Sequence, residues 1–299
     1  MIAWLASIEG TETGRHVAMG LALFAAVSHA IFGALQKGRH DPWLTRGAID
    51  ISYCLIALPA ALFLVPWPEG RVWLILAGAM VIHVGYKLSQ AMAYERGAFT
   101  VVYPIVRGTG PLVTVAAAGV VFGEVYSLAQ WGGVLLLSGA IFTLAAFNVQ
   151  QTRIGRRQLI EAVGFAFLTG IFVAGYTTYD AYGIRATTNS FTFLAWFFVV
   201  DGLIFPWVAL FRWRAMEVRP AIAPLMRRGV VGAFVAFASF GSVMLATRLD
   251  KVGQAAVLRE TSVVFAALIG WLFLKERVGP VRAALVAVIA LGAVVVEFG

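Results

Sequence analysis

The sequence contains few charged residues and a single cysteine. Only 13% of its 299 residues are Asp, Glu, Lys or Arg, whereas 61% are hydrophobic. A water-soluble domain of this length needs far more charge on its surface, so the composition excludes that class. Because Cys54 is the only cysteine, an internal disulfide is also excluded. Its place within an apolar run predicts a packed core residue.

Motifs for ATP binding, metal binding and covalent catalysis are missing as well. The sequence has no Gly-x-x-x-x-Gly-Lys-Ser/Thr loop and no His-x-x-x-His or Cys-x-x-Cys pair. A membrane-embedded enzyme would need a Ser or Cys beside a base, or several metal ligands, and no such set stands out. We therefore expect no metal, no cofactor and no enzymatic activity.

Basic residues outnumber acidic ones, and the formal net charge is +8. Most Lys and Arg lie in short segments between apolar runs, where they act as topology signals. A basic patch for nucleic acid would need a water-facing domain, and no segment is long enough to form one. The expected partners are a lipid bilayer and a small-molecule substrate, not nucleic acid, with the chain present as a monomer or homodimer.

Apolar windows of roughly 18 to 25 residues recur along the whole chain, and about 20 such residues cross a bilayer as a helix. Short segments rich in charge or turn residues separate them. The pattern predicts an all-α polytopic membrane protein with ten transmembrane helices. We place these helices at residues 16–36, 47–65, 72–94, 98–123, 128–149, 159–182, 190–211, 228–247, 252–274 and 280–298.

The fourth and ninth windows match each other. When Glu124 is aligned with Glu276, Arg107 falls on Arg259 and Thr109 falls on Thr261. This duplication predicts two five-helix repeats within a single membrane domain, residues 1–151 and 152–299. Because five is odd, the second repeat enters the membrane inverted, an arrangement that gives alternating access around a site near the midplane.

The loops between helices differ strongly in basic residues. The first, fifth, seventh and ninth loops hold most of them, including Arg39, Arg156, Arg212, Arg219 and Arg277. The positive-inside rule places these loops in the cytoplasm and both chain ends outside.

Two polar motifs resemble the drug/metabolite transporter superfamily, and most closely its EamA-type members. The first is residues 103–112 (YPIVRGTGPL) followed by Gly123-Glu124, and the second is 258–262 (LRETS) followed by 274–277 (LKER). The resemblance implies ten helices in two inverted repeats and a transport function in a bacterial inner membrane. Members of that family export amino acids, other metabolites or toxic compounds, and some import. Cytoplasmic termini are usual in the family, so the charge bias of this chain departs from it.

Arg107 and Arg259 are the strongest candidates for substrate binding. An arginine at the centre of an apolar helix costs roughly 3 kcal/mol or more on insertion scales, so ionisable groups there are functional by default. Two guanidinium groups facing one cavity would hold a carboxylate by bidentate hydrogen bonds. The alternative is a structural role, in which each arginine pairs with Glu260 or with backbone carbonyls.

Glu260, His29 and Asp201 are the candidates for proton coupling. Glu260 follows Arg259, so on a helix their side chains point about 100° apart and are not expected to reach one spot. Glu260 either carries the proton or is the counter-ion of Arg107 across the repeat interface. Either His29 carries a proton near neutral pH, or it is an interior histidine whose ring nitrogens are hydrogen-bonded.

The third helix carries a polar stripe, because His83, Lys87 and Gln90 share one face of it. Such a stripe lines water more readily than lipid, and we assign it to the substrate site. Aromatic residues would form the walls of the cavity, or they serve ordinary packing. The aromatic candidates are Phe32, Tyr86, Tyr103, Tyr176 and Trp196.

We expect structural rather than functional roles for two further acids, Asp50 and Asp180. An Arg46–Asp50 pair at the membrane face is the simplest account of Asp50. Asp180 lies near the end of the sixth helix, where a solvated position is expected.

Pro104 and Pro111 are expected to interrupt the fourth helix on either side of Arg107. Gly119-x-x-x-Gly123 would permit close packing of that helix.

Together these features predict a secondary active transporter of a small polar or zwitterionic metabolite, an amino-acid-like compound or an organic acid, coupled to protons. The alternatives are an exporter of cationic or toxic amphipathic compounds and a non-transporting membrane enzyme or sensor.

Overall fold

The computed structural model describes residues 2–35, 41–151, 154–272 and 279–299, except for the side chains of residues 2 and 32–35. Within these ranges the chain is helical with short connections and contains no strand. The helices are α1 (Ile2–Ile8), α2 (Glu12–Leu35), α3 (Pro42–Phe63), α4 (Arg71–Arg96), α5 (Phe99–Phe122), α6 (Leu128–Gln150), α7 (Arg156–Ala186), α8 (Ser190–Asp201), α9 (Phe205–Ala215), α10 (Ile222–Ala236), α11 (Ser242–Leu249), α12 (Val252–Glu260), α13 (Ser262–Leu272) and α14 (Pro280–Phe298).

Ten stretches in the described residues are long and apolar enough to cross a membrane, which confirms the prediction of ten transmembrane helices. Helices α2 to α7 each form one of the first six spans. The seventh span combines α8 and α9, the eighth combines α10 and α11, and the ninth combines α12 and α13. Helix α14 is the tenth.

Ion pairs join the ends of four spans at one face of the bundle. Arg212 Nε lies 2.9 Å from Asp41 Oδ2, and Arg212 Nη2 lies 2.7 Å from Glu95 Oε1. Nearby, Arg96 Nε lies 3.3 Å from Glu161 Oε2. The second and sixth spans begin at this face, and the third and seventh spans end at it. Consecutive spans therefore run in opposite directions, as up-and-down membrane topology requires.

Glu124 caps a helix of the other half of the chain at the opposite face. Its Oε1 accepts a hydrogen bond from the Val252 amide at 2.8 Å, and its Oε2 accepts one from the Gly253 amide at 3.3 Å. A carboxylate is favourable there because the N-terminus of a helix carries partial positive charge. The Tyr126 hydroxyl also donates to Glu124. Burial and this hydrogen bond raise the pKa of Tyr126. Glu276, the counterpart of Glu124 in the alignment, lies outside the described residues.

Helix α5 continues through both of its prolines, so the predicted interruption is wrong. Pro104 lacks the amide hydrogen that would bond to the carbonyl of Thr100 one turn earlier. Asn148 replaces it, because its Nδ2 donates to that carbonyl at 2.8 Å. The interruption lies instead in the ninth span, where α12 ends at Glu260 and α13 begins at Ser262.

Close helix contacts at glycine lie elsewhere, for example between α6 and α14, rather than at Gly119-x-x-x-Gly123. Gly123 is the left-handed C-cap of α5, with φ +67°, and no other part of the described structure approaches within 4 Å of where its Cβ would be. A Cβ on Gly133 would lie 2.8 Å from the carbonyl oxygen of Gly292, and the reverse distance is also 2.8 Å. The predicted packing role of the first motif is therefore not seen.

A short π-helix, Phe237–Gly241, connects α10 and α11 in the eighth span. Such insertions into an α-helix occur frequently at functional sites. Phe237 packs on Tyr53, and Phe240 lies near His83 and Tyr176. The π-helix thus lies against the polar interior of the bundle.

Candidate functional site

An ion pair joins the two halves of the chain at the predicted repeat interface, where α5 packs on α12. Arg107 Nη1 lies 3.0 Å from Glu260 Oε1 and 3.2 Å from Oε2. Only 6% of Arg107 and 1% of Glu260 is exposed. This geometry corresponds to the alternative in which Glu260 is the counter-ion of Arg107.

Arg259 approaches the same carboxylate from the neighbouring position on α12. Its Nε lies 3.5 Å from Glu260 Oε1 and donates no hydrogen bond to any described residue. The expectation that the two side chains cannot reach one spot is therefore wrong. Both side chains are long, and they bend together at the end of α12. Two guanidinium groups, one from each half of the chain, thus share one carboxylate.

Aromatic and polar side chains surround these charges. The guanidinium of Arg107 lies over the ring of Tyr103, 5.1 Å from its centroid. Tyr103 stacks on His29 with ring centroids 6.4 Å apart, and its hydroxyl lies 3.4 Å from Ser262 Oγ. His29 Nδ1 in turn lies 3.4 Å from Oγ of Ser239 in the π-helix. We call Arg107, Arg259, Glu260, Tyr103 and His29 the arginine site.

A second buried cluster centres on Lys87 and involves α3, α4, α7 and α8. Lys87 Nζ lies 2.6 Å from Asp50 Oδ2 and 2.8 Å from Asp201 Oδ1. It also donates to the Tyr53 hydroxyl at 3.1 Å, and that hydroxyl donates to Asp201. Lys87 and Asp201, predicted for substrate binding and proton coupling, are therefore ion-paired with each other. We call this cluster the carboxylate network; its members are Arg46, Asp50, Tyr53, His83, Lys87, Asp180 and Asp201.

Asp50 lies inside the bundle, not at the membrane face. The predicted pair with Arg46 is present, with Nε and Oδ1 2.8 Å apart, but Asp50 is fully buried. The predicted position at the membrane face is therefore wrong. A spacing of one helical turn identifies Arg46 as the partner, but it does not show how deeply the pair is buried. Asp50 also binds Lys87, which sequence spacing does not show.

Asp180 is also buried, with 2% of its surface exposed, so the expected solvated position is wrong. Helix α7 continues beyond it to Ala186, and α4 covers it. His83 Nε2 lies 2.8 Å from Asp180 Oδ2. The opposite ring nitrogen of His83, Nδ1, lies 3.7 Å from Asp201 Oδ1. The imidazole of His83 is therefore flanked by a carboxylate on each side.

Two tyrosines lie between the arginine site and the carboxylate network. The ring of Tyr176 is 4.5 Å from that of His83 and 5.0 Å from that of Tyr86. Tyr86 accepts a hydrogen bond from Gln90 Nε2 at 2.7 Å. Both tyrosines also pack in the same hydrophobic cluster as Val106 of α5, which precedes Arg107. These tyrosines, predicted as cavity walls, form the boundary between the two clusters.

Trp196, another predicted cavity-wall residue, packs in a group of three tryptophans. Its ring packs against Trp67 at 4.9 Å and Trp73 at 4.8 Å. Tryptophan is common near the interfaces of membrane proteins, and this position serves packing. Phe32, another predicted wall residue, lies outside the residues whose side chains are described.

Arg46, Tyr53, Asp50 and Asp180 are the members of the carboxylate network that sequence reasoning did not assign to a site. The available signal was the presence of three Asp residues inside apolar windows. Charges in such windows need partners, so three acids imply buried cations nearby.

Comparison with known proteins finds a similarity to a transporter family in the second half of the chain. Residues 160–298 match the EamA-like transporter family. A crystal structure, titled only as that of a protein, superposes with a TM-score of 0.71 over 96% of this chain and 98% of that chain. The sequence identity in this superposition is 16%, so the likeness shows the fold alone. No curated protein matches the sequence significantly.

Proposed function

We propose that this chain is an EamA-type membrane transporter, which the match over residues 160–298 supports, and that it moves a small carboxylate-bearing metabolite. The substrate is an organic acid or an amino-acid-like zwitterion. Transport proceeds by alternating access between the two predicted repeats and is coupled to protons.

The surplus of positive charge in the arginine site supports this proposal. Arg107 and Arg259 contribute two permanent cations, and Glu260 contributes one carboxylate. Arg107 uses its Nη1 on Glu260, whereas Nε of Arg259 is buried without a hydrogen bond to any described residue. A buried N–H group without a hydrogen-bonded partner is costly. A substrate carboxylate at Arg259 would accept this hydrogen bond and balance the surplus positive charge.

The position of the site between the two halves of the chain fits alternating access. Arg107 lies on α5 and Arg259 on α12, so an anion bound by both would contact both predicted repeats. The interruption at Thr261 follows the two charged residues directly and gives the ninth span a point at which it can bend. Tyr103, Tyr86 and Tyr176 would contact the apolar part of the substrate, while Glu260, His29 and Asp201 are the predicted proton carriers.

The proposal is tested by measuring the thermal stability of purified protein with matched pairs of ligands. Each pair contains a carboxylate and its uncharged amide, for example leucine with leucinamide and benzoate with benzamide. We expect at least one carboxylate to stabilise the wild type, by about 2.7 kcal/mol at 100 times its dissociation constant. Its amide should have no effect. The same carboxylate should then support counterflow in proteoliposomes.

The variant Arg259→Gln tests the assigned residue, and Arg157→Gln is its control. Arg157 is 94% exposed and lies on the surface of α7. We expect Arg259→Gln to abolish the stabilisation and Arg157→Gln to retain it. If cations or amides stabilise the protein and Arg259→Gln responds as the wild type does, the carboxylate proposal is wrong. An exporter of cationic amphipathic compounds would then be favoured.

A further inference from the structure

The connection between the eighth and ninth spans consists of two residues, Asp250 and Lys251, between the end of α11 and the start of α12. Basic side chains hold this connection to neighbouring elements. Arg185, near the end of α7, donates to the carbonyl of Thr247 at 2.8 Å and to that of Asp250 at 2.7 Å. Lys251 Nζ donates to the carbonyl of Val125 at 2.8 Å. The connection is therefore fixed to the end of the sixth span and to the loop that precedes α6.

Glu124 holds the same connection from the first half of the chain. Besides accepting hydrogen bonds from the Val252 and Gly253 amides, its carboxylate lies 3.5 Å from Arg185 Nη2. The Gly253 amide also donates to the Tyr126 hydroxyl at 3.1 Å. A Cβ on Gly253 would overlap that hydroxyl, so this contact requires glycine. We call Glu124, Tyr126, Arg185 and Gly253 the latch.

The latch lies where water can replace its contacts. Glu124 follows the end of α5, and the side chain of Arg185 is 27% exposed. Ion pairs that water reaches contribute little to stability, because solvent takes over the hydrogen bonds when the partners separate. The Arg107–Glu260 pair, with side chains 7% and 1% exposed, would instead leave buried charges uncompensated. The latch is therefore the contact between the two halves that can open and close at small cost.

Helix α12 connects the latch directly to the arginine site. Its first two residues, Val252 and Gly253, are held by Glu124, and its last two, Arg259 and Glu260, belong to the arginine site. The helix has nine residues, all of them buried, and spans about 12 Å. The interruption at Thr261 follows its last residue. A short regular helix with an interruption at one end moves as a unit, so displacement of its first turn also moves its last.

We propose that Glu124 is a gating residue, which closes the arginine site towards the face of the latch by holding the first turn of α12. When the carboxylate releases the two amides, α12 pivots at Thr261 and opens a path from that face to Arg259. Glu124 acts through α12 and does not contact the substrate, so it is a positioning residue. The need for such a gate rests on the function proposed above, whereas the latch itself rests on the contacts at the start of α12.

The test measures how fast a membrane-impermeant maleimide reaches a cysteine beside the arginine site from each side of the membrane. Ser262→Cys, in a Cys54→Ser background, places this cysteine with little change in volume. Ser262 is fully buried, and its Oγ lies 3.4 Å from the Tyr103 hydroxyl. Glu69→Cys identifies the side that carries the latch, because the second and fourth loops lie at the same face. Intact cells and inverted vesicles are labelled separately.

Two variants release the latch by different means. Glu124→Ala removes the acceptor of the α12 amides, and Gly253→Ala displaces the Tyr126 hydroxyl. We expect each to raise the labelling rate of Ser262→Cys by about fivefold, the change in population that the loss of one N-cap produces. The increase should occur only from the side on which Glu69→Cys reacts.

Matched variants control for loss of an acid and for an added methyl group. Glu161→Ala removes a carboxylate that pairs with Arg96 and Arg157 at the opposite face. Gly132→Ala adds a Cβ in open space on α6. We expect neither to change the rate from the side of the latch.

The direction of labelling separates a gate from a structural contact. A residue that only stabilises the fold would change labelling from both sides or from neither, so either of these results in both variants overturns the proposal. If Glu124→Ala or Gly253→Ala does not fold, Glu124→Gln replaces it, because it retains one acceptor oxygen and loses the charge that faces Arg185. We then expect a smaller increase from the same side, and an unchanged rate overturns the proposal. No substrate is used, so carboxylate binding and the gate stand or fall separately.

Discussion

At the scale of single residues, the two partners of the buried Arg107–Glu260 ion pair differ in what their replacement leaves behind. Glu260 has two arginines within 3.5 Å, whereas Arg107 has one carboxylate. If Glu260 is neutralised, two guanidinium groups face each other in the interior without an anion. If Arg107 is neutralised, Arg259 is still beside Glu260 and can take over the pairing. The two substitutions should therefore have unequal effects.

We predict that Glu260→Gln destabilises the protein by about 3–5 kcal/mol, because it leaves buried cations uncompensated. Arg107→Gln should cost less, about 1–3 kcal/mol, because one ion pair can re-form. Unfolding by titration with SDS in mixed micelles measures both values. Glu161→Gln is the control, since its partners Arg157 and Arg96 are partly exposed and such pairs contribute about 0–1 kcal/mol. Equal costs for the two buried variants would contradict the shared carboxylate.

Some of these residues could be selected from the sequence alone, and others could not. Arg107 and Arg259 could be found because they align between two similar segments and lie in apolar windows, where charge is costly. Asp50 and Asp180 lie in similar windows, yet their partners Lys87 and His83 are far away in the chain. Position along one helix does not reveal which side chain of another helix lies opposite. Buried pairing between spans therefore needs the tertiary structure.

At the scale of helices, the close contact between α6 and α14 depends on Gly133, which faces α14, and not on its neighbour Gly132. A Cβ on Gly133 would come within 2.8 Å of the Gly292 carbonyl and of the Val296 side chain. The preceding residue, Gly132, points to open space, with no atom within 4 Å of its Cβ position. The two glycines are adjacent on the same helix, so the same substitution at both isolates the effect of packing.

We predict effects of opposite sign for Gly132→Ala and Gly133→Ala. The first removes backbone freedom from the unfolded chain without a clash and should stabilise by up to about 1 kcal/mol. The second must separate two tightly packed backbones and should destabilise by about 1–3 kcal/mol. Unfolding of both variants in the same mixed micelles measures the difference. A neutral or stabilising Gly133→Ala would show that α6 and α14 are not in close contact.

Helix existence could be predicted from the sequence, whereas local irregularities could not. Ten apolar windows correspond to ten spans because their length and composition are sufficient to identify a membrane-spanning helix. The continuation of α5 through Pro104 depends on Asn148, which lies on a neighbouring helix. The interruption at Thr261 and the π-helix at Phe237–Gly241 carry no proline to mark them. Contacts between helices determine these features.

At the scale of the whole molecule, the two faces of the bundle differ in charge. One face is rich in basic residues, which are Arg96, Arg156, Arg157, Arg212, Arg214 and Arg219. The opposite face includes the second loop, where Glu69 is exposed. The positive-inside rule places the first face in the cytoplasm. This predicted orientation can be tested by labelling each face of the bundle separately.

We predict that a cysteine at position 219 is labelled only from the cytoplasmic side and a cysteine at position 69 only from the outside. Cys54→Ser provides a background without cysteine, because Cys54 is the only one in the sequence and is buried. Arg219→Cys and Glu69→Cys are then treated with a membrane-impermeant maleimide in intact cells and in inverted vesicles. If Glu69→Cys were labelled in inverted vesicles and not in intact cells, the orientation would be the opposite of the predicted one. The chain ends would then be cytoplasmic, as is usual for the family that the sequence resembles, and the basic loops would require another explanation than topology.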